Sequence, residues 1–145
     1  MKTSLLTILL MLCSGCAMAS DYAEGQVWSY KTRNGERGST LQINRIEHDP
    51  RLGDIFHISV SGVRLHNPHA PEGITTELPH FPVSIQTLEK SCIEPTGRAS
   101  VNPDYLEGYQ AWREAFDAGQ AGVFDIAVAD IVDIVESSIS QRVKH

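Results

Sequence analysis

Two hydrophobic periodicities divide this chain, and their order limits the folds open to it. Between residues 26 and 61 apolar side chains recur at every second position, and beyond residue 104 at every third or fourth. Gln26-Val27-Trp28-Ser29-Tyr30-Lys31-Thr32 follows Gly25 and is rich in β-branched and aromatic residues, so it reads as a first strand. Asn34-Gly35 and Gly38 supply the turn, and Ser39 to Asn44 alternates polar and apolar as a half-buried second strand should. After the turn at Asp49-Pro50-Arg51-Leu52-Gly53-Asp54, Phe56, Ile58 and Val60 share one face of a third strand. His57, Ser59 and Ser61 share the other, expected to be solvent-facing.

The two prolines between Val63 and Gly73 exclude helix and favour a surface loop. Ile74 to Leu78 is expected to form a fourth strand that stops at Pro79. Ser84 is placed to cap a short helix carrying Ile85, Leu88 and Cys92 on one side, ended by Pro95-Thr96-Gly97. Asn102-Pro103 opens a longer helix, on which Tyr105, Tyr109, Trp112 and Phe116 form one aromatic stripe. Trp28 and Tyr30 point the same way along their strand and are expected to pack on that stripe. Beyond Gly119 and Gly122, Val123 to Ile126 reads as a short strand. A last helix from about Ala127 sets Val128, Ile131, Val132, Val135 and Ile139 on one face. Strands first and helices later indicate an α+β fold: an antiparallel meander of three to four strands, then two to three helices packed on one face. Residues 20–140 suffice for one domain, and residues 141–145 are expected to fray.

The N-terminal segment reads as an export signal, residues 1–19. Lys2 precedes the apolar run Leu5 to Leu12, too short for a membrane span. Ala17-Met18-Ala19 fits ordinary signal peptidase, leaving a product that starts at Ser20 in the periplasm or outside the cell. Cys13-Ser14-Gly15-Cys16 resembles a bacterial lipobox with Cys13 where leucine is usual; it would give a leader of residues 1–15 and an outer-membrane lipoprotein acylated on Cys16. Either route leaves Cys92 as the single thiol, so no internal disulfide is expected.

Charge is unevenly spread. Between residues 104 and 136, Asp104, Glu107, Glu114, Asp117, Asp125, Asp130, Asp133 and Glu136 face only Arg113, which leaves a local charge of −7. Such a surface repels nucleic acid and anionic lipid, so nucleic acid is not an expected partner, and a membrane is one only through a lipid on Cys16. On their helices these carboxylates fall away from the apolar stripes, where they are solvated or form an acidic face for a basic partner.

His57, His66, His69 and His80 lie within 24 residues, and His66-x-x-His69 with Glu72 or His80 has the residue types of a metal site. Neither paired cysteines nor a helical i, i+4 histidine pair accompanies them, so no metal or cofactor is expected. Cys92 with His80, or Ser59 or Ser61 with His57, would suit nucleophilic chemistry, but the chain has no Gly-x-Ser-x-Gly elbow. No catalytic residue is assigned.

The stretches Glu24-Gly25-Gln26-Val27-Trp28-Ser29-Tyr30-Lys31-Thr32-Arg33 and Leu78-Pro79-His80-Phe81-Pro82-Val83-Ser84 resemble a group of small exported bacterial proteins of unknown function, over residues 23 to 136. That resemblance implies no activity and carries over no functional residue. The expectation is therefore a non-enzymatic, exported interaction protein of the cell envelope, inhibitor- or immunity-like. Its contacts to a basic protein partner would come from Asp104, Glu107, Glu114, Asp117, Asp130, Asp133 and Glu136. The alternatives are a metal-binding protein or metal-assisted hydrolase built on His57, His66, His69 and His80, and a structural envelope lipoprotein.

Overall fold

Strands β1 (Gln26–Tyr30), β2 (Thr40–Asp49), β3 (Gly53–His66) and β4 (Ile74–Ser84) form an antiparallel meander in the computed structural model, which describes residues 21–143. The expected leader, both expected cut sites, Cys16 and the last two residues lie outside the described residues. Helix α1 (Ile85–Ser91) then carries the chain to β5 (Cys92–Arg98), which pairs with the free side of β1. The strand order is β4-β3-β2-β1-β5, all antiparallel. Helices α2 (Tyr105–Asp117) and α3 (Val128–Arg142) follow. The α+β expectation holds. None of the helices among the described residues is long and apolar enough to cross a membrane.

The helices divide between the two faces of the sheet. Trp28, Tyr30, Leu41, Ile43, Phe56, Ile58 and Val60 pack with Leu88 of α1 and with Val128, Ile131 and Val132 of α3. Ile55, one position from Phe56 and so on the opposite face of the sheet, packs with Trp112 and Phe116 of α2. The aromatic stripe of α2 is thus as expected, but Trp28 and Tyr30 pack away from it, beneath α3. Their strand places them on the face that carries Leu41 and Ile43, and that face is covered by α1 and α3. A sheet covered on both sides explains why Ile55, Phe56, His57 and Ile58 are buried in succession.

Three elements run further than the sequence suggests. β2 continues past Asn44 to Asp49 through a bulge between Ile43 and Arg45. β3 reaches His66 through an irregular stretch that includes Gly62, whose positive φ of 81° and close approach to Ser39 suit only glycine. β4 passes through Pro79 and Pro82 instead of stopping, because it is an edge strand and a missing N–H on its outer side costs no ladder bond. Pro95 is accommodated in β5, the opposite edge, for the same reason, so Pro95-Thr96-Gly97 lies within a strand instead of ending the helix, which stops at Ser91 and leaves Cys92 to β5. The expected strand at Val123–Ile126 is a single bridge: Phe124 donates to Pro82 O at 3.0 Å and accepts from Ser84 N at 2.8 Å. α3 keeps its helical geometry to Arg142, two residues into the segment expected to fray.

Candidate functional site

The face of β2, β3 and β4 beneath α2 holds a connected set of polar side chains. The alternation placed His57 correctly opposite Ile58 and Phe56, but α2 covers that face, so His57 is 0% exposed and not solvated. Its ring meets the edges of Tyr109 and Trp112, with centroids 4.8 Å away in each case. Burying both imidazole nitrogens without partners would cost several kcal/mol, roughly 1–3 for each group, and both are satisfied. Nε2 lies 3.0 Å from Glu47 Oε1 on β2, and Nδ1 lies 2.9 Å from His80 Nε2 on β4. The two imidazoles stack at 5.1 Å with planes 13° apart.

Glu47 anchors the set. Its Oε2 accepts from the Tyr109 hydroxyl at 3.0 Å, and its Oε1 accepts from Arg113 at 3.1 Å. Arg45 lies over the Tyr109 ring at 4.5 Å and 3.7 Å from Glu47 Oε2. Burial opposes the charge on Glu47, but the bonds from His57 and Tyr109 and the nearby Arg113 outweigh it and hold the carboxyl below its ordinary range. Burial acts the other way on the imidazoles. It lowers His57 against the pull of Glu47, and it lowers His80 to about 4 with help from the adjacent His57. The carboxylate therefore fixes the tautomers: His57 donates from Nε2 to Glu47, and His80 donates from Nε2 to the Nδ1 lone pair of His57.

Gly108 lets α2 come this close. A Cβ there would stand 2.9 Å from His80 Cβ and 3.3 Å from its Cγ and Nδ1. Replacing a mid-helix glycine by alanine ordinarily stabilises by about 0.5–1 kcal/mol. Here the blocking atom is fixed to the β4 backbone, and overpacking of this kind costs about 1–3 kcal/mol. Gly108→Ala is expected to lower the urea midpoint; a raised midpoint would show that the helix has room to lift.

Beside this set, at the start of α2, lies a cleft of about 370 Å3. Gln42, Ser59, Ser61 and Glu77 come from the sheet, and Asp104 and Tyr105 from the helix. Ser61 donates to Glu77 Oε2 at 2.9 Å, and Asn102 accepts from the Asp104 backbone N–H at 3.0 Å, which shapes the turn into α2. Two carboxylates and several neutral acceptors line the cleft, with one aromatic wall and no lysine or arginine.

The seven carboxylates expected to contact a partner do not form one surface. Asp104, Glu107, Glu114 and Asp117 belong to the α2 side of the sheet, and Asp130, Asp133 and Glu136 belong to α3 on the other. Arg113 binds Asp117, leaving Glu107 and Glu114 exposed on α2. On the other side Arg33 reaches Asp133 at 2.9 Å and Glu136 at 3.2 Å, while Glu136 also accepts from His66 N at 2.7 Å. These two acids fasten α3 to the sheet.

The histidines are likewise separated. His66 ends β3 and His69 lies in the exposed 67–73 loop, whereas His80 is engaged with His57. Among the described residues, no three of His, Cys, Asp or Glu are grouped to hold a metal ion. Ser61 is bonded to Glu77 and both His57 nitrogens are engaged, so no serine–histidine pair forms. Cys92 is half-buried, and burial pushes its thiol up to about 12, an unreactive state. Sequence reasoning missed Arg45, Glu47 and Glu77. Arg45 and Glu47 alternate with Ile46 on the strand next to His57, a signal hidden by ending that strand at Asn44.

No family model, curated protein or solved structure matches the chain.

Proposed function

We propose that this chain is an exported, non-enzymatic interaction protein of the cell envelope that captures a basic protein partner through the α2 side of its sheet. The observation that carries this reading is the cleft at the start of α2. Glu77 and Asp104 lie on opposite walls, Gln42, Ser59 and Ser61 add polar groups, and the Tyr105 ring offers a face to a cation. A guanidinium or ammonium group entering there would meet acceptors on both sides, and the nearest base, Arg45, is drawn away toward Glu47 and the Tyr109 ring. Exposed Glu107 and Glu114 extend the negative field along the same helix, which favours fast, salt-sensitive association. An inhibitor or immunity factor that blocks a basic toxin by receiving one of its cationic side chains would use such a surface.

The test compares three forms in a low-salt pull-down from periplasmic extract: the unaltered protein, a Glu77→Gln/Asp104→Asn double variant, and Asp130→Lys on the opposite side. A basic protein retained by the first and third, and held at least tenfold more weakly by the double variant, is the expected result. Retention of nothing, or equal retention by the double variant, overturns the proposal.

A further inference from the structure

We propose that Glu47, His57 and His80 form a proton-operated latch that holds α2 on the sheet when it carries one added proton or none, and releases it when a second is added. This goes beyond the partner-binding reading and does not depend on what the cleft receives.

In the uncharged pair the bond runs from His80 Nε2–H to His57 Nδ1, because His57 Nε2–H is committed to Glu47. A first proton enters at His80 Nδ1, and the bridging proton hops to His57 Nδ1. His57 becomes an imidazolium paired with Glu47, and its Nδ1–H now donates to the bare Nε2 of neutral His80. The contact between the rings survives with its direction reversed.

A second proton cannot be absorbed this way. Both facing nitrogens would then carry hydrogen across 2.9 Å, and two cations would be stacked at 5.1 Å. The groups around the pair do not relieve them. From β2 come Glu47, the single carboxylate, and Arg45; from α2 come Arg113, itself bound to Asp117, and the phenols of Tyr105 and Tyr109. Two guanidiniums thus add to the repulsion. The pair titrates as a unit, and its second proton is the one the packed structure refuses.

The geometry couples that refusal to α2. Gly108 rests directly on His80, and Tyr109 and Trp112 rest on His57. Irregular segments flank the helix, residues 99–104 before it and 118–123 after it up to the Phe124 bridge, so it can lift without unpairing a strand. With α2 lifted, the imidazoles return toward their ordinary range near 6.5, whereas beneath it they are held lower. The lifted form therefore binds more protons, and docking weakens as pH falls from about 6.5 toward 4.

Hydrogen exchange measured segment by segment on the full chain tests the latch. After correction for intrinsic rates, protection of residues 105–117 is expected to fall about tenfold or more between pH 7 and pH 4, while residues 128–142 hold. His80→Gln keeps a donor for His57 and cannot take a proton, so its α2 protection should fall by less than about threefold over that range, the remainder coming from Glu47 and His57. Equal loss in both helices, or a variant that behaves like the original, overturns the proposal. Imidazole nitrogen NMR on the unaltered chain reads the same mechanism without a substitution. Uptake of one proton with α2 docked, and of the second only as α2 protection is lost, supports the latch; two protons taken up with α2 still docked overturn it.

Discussion

Arg33→Met is expected to cost about 3 kcal/mol at neutral pH, the lower end of what removing one partner of a buried ion pair does. Arg33 Nε and Nη2 hold the two carboxylate oxygens of Glu36 at 2.7 and 2.9 Å, and Glu36 is 3% exposed. Its remaining bond is from Arg64 N. Methionine keeps the packing of the aliphatic stem, so the loss reports the charge and not a cavity. The lower end applies because the guanidinium side chain retains 15% of its exposure. In a domain of this size the loss corresponds to a fall in Tm of about 10 °C.

The pH dependence of that loss identifies its origin. The bonds from Arg33 outweigh burial and hold Glu36 below its ordinary range, so the unaltered protein draws stability from this carboxylate above pH 4.5 and loses it as pH falls through the folded value. The variant leaves a buried carboxylate that protonates readily, so its deficit is expected to shrink toward pH 4. Thermal melts of Arg33→Met and of Arg33→Met/Glu36→Gln at pH 7 and pH 4 decide the matter. A deficit not reduced in the double variant would mean that Arg33 acts through Asp133 and Glu136 instead, and one that is constant with pH would mean that its ion pairs are not the source.

Trp112→Ala is expected to cost about 3–5 kcal/mol, in the range for deleting a buried large aromatic side chain. The second core is small. Trp112 stacks on Phe116 at 4.7 Å, meets His57 at 4.8 Å and donates its indole N–H to Gly122 O at 2.8 Å. Removing it leaves Ile55 and Phe116 as the buried residues of this cluster and opens His57 to water. Trp112→Phe keeps most of the apolar contact and should cost about 1–2 kcal/mol, from the smaller ring and the lost indole hydrogen bond, since Gly122 is exposed and its carbonyl can turn to water. Urea unfolding of both variants separates the two contributions. A loss under about 1 kcal/mol for the alanine variant would show that α2 adds little to the stability of the sheet.

The strands and long helices were legible because their signals are local. Alternation at Phe56, Ile58 and Val60, the Asn102-Pro103 start and the stripe from Tyr105 to Phe116 each belong to one element. The side of the sheet on which a helix packs is not local. Trp28 and Tyr30 were expected to meet the stripe, and nothing in either segment distinguishes that arrangement from the observed one, with α3 on their face. The same limit hid the site. His57 reads as solvated until α2 is known to cover it, and Glu47 becomes its partner only once β2 runs past the bulge at Asn44. Prolines misled for a different reason. Pro79 and Pro95 usually end regular structure, but both fall on edge strands, and which strands are edges follows from the pairing order.

Those edge prolines also determine how another molecule can approach. A sheet ordinarily ends in two rows of unpaired backbone groups that invite a further strand, from a second copy or from an unfolded chain. Here β4 carries Pro79 and Pro82 on one margin, with Phe124 bonded across its last residues, and β5 carries Pro95 on the other. Neither margin offers an uninterrupted ladder of donors, so growth of the sheet by strand addition is blocked at both ends. Any partner would have to be recognised by side chains, on the faces of the molecule, and the fold is guarded against cross-strand aggregation.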